Sequence, residues 1–140
     1  MPITLTVSEG LLSAEAESQV FAELTDALLD VAQLGGNPFM TRNVVGTLNV
    51  LPGGRVFAGG KAAPAAFIEL KLPEIALAGA EAKRAFIDAA TGAVERAAAG
   101  RLPRDHIWVN IVYAADESWG IGGRGYSNAE LVGAIQDAAR

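Results

Sequence analysis

The chain has 140 residues, 51% of them hydrophobic and 19% charged, with a net charge of −5 and no cysteine. One domain of this length buries a core without staples; the acidic balance speaks against nucleic acid as a partner, and the missing cysteine excludes disulfides and thiol catalysis. No apolar run approaches the roughly 18 residues that span a bilayer, and no basic segment leads into an apolar stretch at the start, so the expectation is a single soluble, cytoplasmic domain over residues 1–140 that uses its extra apolar surface for subunit contacts.

Met1-Pro2-Ile3-Thr4-Leu5-Thr6-Val7 alternates apolar and polar side chains after the proline, the period of a half-buried strand. A strand locks the chain start into a sheet, where most termini stay loose. Inside a chain the Pro2 nitrogen is an amide without a hydrogen. With Met1 removed it becomes a secondary amine on a rigid ring, able to take a proton or attack a carbonyl. The plainer alternative is that Met-Pro is an ordinary start, since small second residues permit methionine removal.

Ser8-Glu9-Gly10 predicts a turn, and Ser13 an N-cap with Glu15 and Glu17 in the first helical turn. Val20, Phe21, Leu24, Leu28 and Val31 make one apolar stripe. Gly35 is the expected helix end, Asn37-Pro38 continues the loop, and a strand is expected from about Asn43 to Leu51. Pro52-Gly53-Gly54 closes it as a turn. Residues 66–72 predict a strand whose near-continuous apolar character suggests burial on both faces, stopped by Pro73. A helix from Gly79 to Ala99 carries Phe86, Ile87, Ala90, Val94 and Ala97 on one side, leaves Lys83, Arg84, Glu95 and Arg96 to solvent, and ends at Gly100. Ile107 to Tyr113 is the fourth main strand, and Asn128 to Arg140 a short helix capped by Asn128.

The chain repeats itself. Val56-Phe57-Ala58-Gly59-Gly60 recurs as Trp119-Gly120-Ile121-Gly122-Gly123, and the same shift carries Pro2 to Ala65, just before the run Ala66-Phe67-Ile68-Glu69-Leu70-Lys71-Leu72. Two pseudo-repeats, about 2–62 and 65–127, each read strand, helix, strand, Gly-rich turn. The expected fold is therefore α/β (α+β): a duplicated β-α-β unit making a four-stranded mixed sheet with two helices on one face. The other face would be apolar and in need of cover, which argues for association.

These motifs carry a resemblance. The Met-Pro start with Glu9-Gly10, the duplicated β-α-β unit and the Gly120-Ile121-Gly122-Gly123 turn resemble the tautomerase superfamily, the group of 4-oxalocrotonate tautomerase, macrophage migration inhibitory factor, malonate semialdehyde decarboxylase and cis-3-chloroacrylic acid dehalogenase. His106-Ile107-Trp108-Val109 and Val56-Phe57-Ala58-Gly59-Gly60 are similar to the dehalogenase, and Asp116-Glu117-Ser118-Trp119 to the decarboxylase. The resemblance covers the chain to about residue 131. It implies a homotrimer whose sheets pack as a barrel, a small-molecule carbonyl acid as substrate, no cofactor, and the processed Pro2 amine as general base.

Residue by residue, the resemblance implies less. Leu11 and Leu12 stand where 4-oxalocrotonate tautomerase has its first arginine, and Trp108 where it has the second. Asn37 replaces the inhibitory factor's lysine and Leu28 the dehalogenase histidine. The dehalogenase glutamate falls around Ile121, and Leu72-Pro73-Glu74 replaces arginines after the third strand. Asn110 does carry over, a position that in the family reaches the proline from a neighbouring subunit and donates to a substrate oxygen; it is otherwise a strand residue satisfied by backbone. Trp108, two residues away on the same strand face, is either a pocket wall or an interface aromatic. Lys71 is either a substitute cation for the substrate carboxylate or a solvated strand end, and Lys61, Arg42 and Arg124 are further cations. Trp119 matches the family's turn aromatic that closes the pocket, or is a packing residue beside a Gly hairpin.

The run Gly120 to Gly125 leaves too little chain after it for a nucleotide-binding βαβ unit. His106, the only histidine, gives no zinc set and no Ser-His-Asp arrangement. The expected function is keto–enol tautomerisation of a small carbonyl acid by Pro2, assisted by Asn110 and Lys71. Two alternatives stay open: a trimeric binding or scaffold protein of the same fold without catalysis, and a hydratase or decarboxylase of three-carbon acids with Glu69 or Glu74 activating water.

Overall fold

The computed structural model describes residues 1–140. Its elements in chain order are β1 (Pro2–Ser8), α1 (Ala14–Val31), α2 (Pro38–Asn43), β2 (Val45–Leu51), β3 (Phe57–Ala58), β4 (Lys61–Ala62), β5 (Ala66–Pro73), α3 (Ala80–Ala98), β6 (Ile107–Ala114), β7 (Trp119–Ile121), β8 (Arg124–Tyr126) and α4 (Asn128–Ala138). The main sheet runs β2-β1-β5-β6. The outer pairs β1–β2 and β5–β6 are parallel, and the central pair β1–β5 is antiparallel. Two short hairpins, β3–β4 and β7–β8, stand apart from it. No helix is long and apolar enough to cross a membrane.

Alternation in β1 puts Ile3, Leu5 and Val7 into the core, and Ile68, Leu70 and Leu72 of β5 lie on the same side. Val20, Leu24 and Leu28 of α1 and Phe86, Ala90 and Val94 of α3 complete the layer. Ser13 caps α1 as expected, accepting from Ala16 N at 3.1 Å. Phe21 is half-buried and lies across Gly46 of β2, where a Cβ would meet its ring at 2.4 Å. Ile87 turns outward on α3.

Other boundaries differ from expectation. The chain leaves α1 through Gln33 in the left-handed region (φ 58), not through Gly35. Asn37 is no loop residue: its side chain caps α2, accepting from Met40 N at 3.0 Å, with Pro38 in the first turn, where a missing amide costs nothing. Asn43 closes that helix, so β2 begins only at Val45. Ser127, not Asn128, caps α4, through a capping box with Glu130. Two of the cations expected in solvent are engaged. Arg96 pairs with Glu23 at 2.6 Å, and Lys83 lies 5.1 Å from the Tyr113 ring centre.

The uncovered sheet face departs most from expectation. β5 is buried on one side only, with Phe67 37% exposed and Lys71 exposed. Register places Thr47, Thr4, Glu69 and Asn110 in one row across the face, and Asn49, Thr6, Phe67 and Trp108 in the next. The face is thus mixed. Threonines and asparagines bond across β1 and β2, while Phe67 and Trp108 stack at 5.5 Å on the other half.

Candidate active site

The start of the chain is held from three sides. Met1 donates its amine to the Asn43 carbonyl, and its own carbonyl accepts from Val45 N at 3.2 Å. Its side chain is 3% exposed and belongs to the core. Alternation then turns Pro2 to the opposite side of the strand. Burial lowers the Met1 amine from its ordinary 8.0 to about 6, because desolvation disfavours the charged form.

Pro2 borders an open cavity of about 400 Å³, together with Lys71, Val112, Tyr113, Ala114, Ser118, Trp119 and Gly120. Three segments build it. Lys71 comes from the end of β5, directly beside Val112 of β6. The loop after β6 turns at Glu117 in the left-handed region (φ 65), whose amide donates to Asp116 Oδ1 at 2.9 Å. The β7–β8 hairpin then brings in Trp119, with Gly122 (φ 59) and Gly123 (φ 83) supplying the left-handed turn that tight hairpins need. α4 anchors the hairpin, since Asn128 N donates to the same Asp116 oxygen at 2.6 Å.

The polar groups here are few. Lys71 Nζ pairs with Glu69 at 3.4 Å and its side chain is 56% exposed, so it is a solvated point charge rather than a bidentate clamp. Glu74, after β5, accepts from Asp116 N at 3.2 Å and so serves the loop. Tyr113 donates its hydroxyl to the Leu77 carbonyl at 2.9 Å, and burial pushes its phenol above the ordinary value. Trp119 Nε1 is buried without any hydrogen-bond partner, an unusual state for a donor.

Of the residues singled out in the sequence, the fold brings Pro2, Lys71 and Trp119 to one cavity. Asn110 and Trp108 stand elsewhere on the same sheet face. With strands about 4.8 Å apart and about 3.4 Å per residue, Asn110 is roughly 12 Å from Pro2 and Trp108 farther still. Within one chain neither reaches an atom bonded to the proline nitrogen. Tyr113 and Ser118 escaped sequence reasoning; the position of Tyr113 at the end of β6, paired with Leu72, was the one available signal.

A second cavity, of about 320 Å³, lies on the inner side of the chain start. Met1, Leu28, Met40, Leu72, Leu131 and Ile135 are among its 15 lining residues, 14 of which are hydrophobic. α4 contributes Leu131, Val132 and Ile135 and is held by Asn37, which donates to the Ile135 carbonyl at 2.9 Å.

No protein-family model matches the chain, and no curated protein matches it in sequence. Solved structures do. A crystal structure of Pt0534 inactivated by 2-oxo-3-pentynoate is 23% identical, covers 94% of this chain and 98% of its own, and superposes with a TM-score of 0.76. A fused 4-OT, wild type, described as a symmetric trimer, is 20% identical over 94% of this chain and 98% of its own, TM-score 0.75. N1, a member of the cis-3-chloroacrylic acid dehalogenase family, is 19% identical over 99% of both chains, TM-score 0.76. The chain therefore has the fold of tautomerase-superfamily structures, as its motifs implied.

Proposed function

We propose that this chain, once Met1 is removed, is a tautomerase of small carbonyl acids that works through the Pro2 amine. The observation that carries the proposal is the placement of the chain start, which joins a desolvating inner pocket to an open cavity holding Lys71 and Trp119. Burial at this end of the sheet, which lowers the Met1 amine, disfavours the charged form of an amine. A neutral amine is what a general base requires.

In ketonisation of an enol, the amine accepts the hydroxyl proton as the oxygen lone pair forms the C=O bond. The C=C electron pair takes a proton from the resulting ammonium at carbon. The proline nitrogen ends the cycle as it began, and no other reactant enters. Lys71 offers a charge for the substrate carboxylate, and Trp119 walls the same cavity. Asn110 takes its role only from a neighbouring subunit, which the homotrimer supplies. Two similarities support the reading: Pt0534, inactivated by a 2-oxo acid derivative, and the trimeric fused 4-OT share the fold.

The same chain with and without Met1 tests this, since the nitrogen is then an amide or an amine with every side chain kept. Both forms are verified by intact mass and assayed for phenylenolpyruvate ketonisation. The form beginning at Pro2 is expected to be active, the Met1 form to lose about 10²-fold or more, and Pro2→Ala to fall well below wild type. Equal rates in all three would leave the binding or scaffold function standing.

A further inference from the structure

The Met1–Pro2 peptide bond separates two chambers of opposite character. On the outer side, Lys71 stands beside Pro2 as the one charged group of the cavity, with Ser118 and Trp119 also on its wall. On the inner side, the chamber under α4 is lined by apolar side chains and holds no lysine or arginine. A carboxylate placed there would lose its hydration without a partner. The inner chamber is also already marked by a ligand-like group, because the unbranched thioether side chain of Met1 lies against it, almost fully buried. Excision of Met1 vacates that space, adds it to the existing cavity, and leaves the proline nitrogen on the boundary between the chambers. The resulting volume lies within the range of small-molecule sites.

Resting on the tautomerase reading, we propose that the inner chamber takes the hydrocarbon tail of the substrate, so that the substrate class is 2-oxo acids with an alkyl or aryl tail and not the three-carbon acids. The order of groups in such a molecule matches the order in space. Its carboxylate, C1, lies toward Lys71; C3, the carbon that loses and regains a proton, lies at the nitrogen; and the tail borne by C3 runs under α4 into the place of the Met1 side chain. The chamber is then a specificity device and the polar cavity a head-group site. Val132 and Ala76, both half-buried and on its wall, limit the length of tail it accepts.

The test uses the chain beginning at Pro2 and the straight-chain series 2-oxobutanoate, 2-oxohexanoate and 2-oxooctanoate. Affinity is measured by calorimetry and C3 proton exchange by NMR in deuterium oxide. Affinity is expected to rise about fourfold per added methylene, about 250-fold over the four methylenes from the shortest to the longest acid. Val132→Trp, or Ala76→Phe should that variant misfold, is expected to bring the ratio between longest and shortest close to one. A flat series in the wild type, or a series unchanged by a folded chamber-filling variant, overturns the proposal. Binding and exchange separate its failure from that of the catalytic reading. An affinity ladder that persists while Pro2→Ala exchanges C3 protons as fast as wild type upholds the chamber and removes the base.

Discussion

Met1 donates its amine to the Asn43 carbonyl from within a pocket that lowers its pKa to about 6. The unfolded chain keeps the ordinary value of 8.0. Below pH 6 both states carry the proton and the folded one bears the cost of a desolvated charge; above pH 8 neither does. Between these values the unfolded state binds more protons, so the chain bearing Met1 gains stability as pH rises from 6 to 8 and loses it as pH falls. The amine is only partly buried, so the change is on the order of 1–2 kcal/mol. Urea unfolding across that window checks it, with the N-acetylated chain expected to give a flatter profile; parallel profiles would mean the amine is not desolvated. At pH 8, where this charge no longer matters, loss of the buried Met1 side chain should make the chain beginning at Pro2 about 2 kcal/mol less stable than its precursor. Because Met1 is 3% exposed, an aminopeptidase must also remove it before the fold closes. Folded precursor is therefore expected to resist the enzyme that trims the urea-unfolded chain, with intact mass as the readout.

Among the elements, α4 is the roof of the inner chamber, and Asn37 is its latch. The Asn37 side chain caps α2 with its oxygen and holds Ile135 of α4 with its nitrogen. Asn37→Ala removes both and leaves the Ile135 carbonyl unpaired, an expected loss of about 2 kcal/mol. Hydrogen exchange should report the loss as earlier opening of residues 128–138. Ser13→Ala, which removes an isolated cap, is expected to cost about 1 kcal/mol without touching α4. These two caps also show what the sequence disclosed. Ser13 was legible because its partner is three residues away and an apolar stripe follows. Asn37 reads as loop in the sequence because its second partner lies on the last helix, which no local pattern can announce. Gly35 was the natural helix end by residue type, yet Gln33 takes the left-handed conformation and the glycine that turns with positive φ is Gly36. β1 was legible by alternation, β2 and β5 by their strand-forming and apolar residues, and the Gly-rich turns by their glycine pairs. Meeting of Lys71 with Trp119 beside Pro2 depends on register between strands distant in sequence. So does the separation of Asn110 from Pro2, and it was invisible for the same reason.

At the scale of the whole molecule, the open sheet face decides how the chain is used. Phe67 and Trp108 stack there, 37% and 41% exposed, and Val45 and Val112 lie exposed on the same face. In the proposed trimer this face meets its neighbours, so Trp108→Glu should shift the protein toward monomer by size exclusion with light scattering. A trimer that survives this change would place the interface elsewhere. The same geometry gives Asn110 its only route to catalysis, since roughly 12 Å separates it from Pro2 of its own chain. If the asparagine acts across the interface, Pro2→Ala and Asn110→Ala are each poorly active alone but complementary when their subunits are mixed. Refolding the two together in equal amounts pairs an intact proline with an intact neighbouring asparagine in about a quarter of sites, by random assortment in a cyclic trimer. Activity should then return toward about a quarter of wild type. An asparagine acting within its own chain gives no recovery on mixing, because no single chain then carries both groups; one that does not act at all leaves Asn110→Ala active alone.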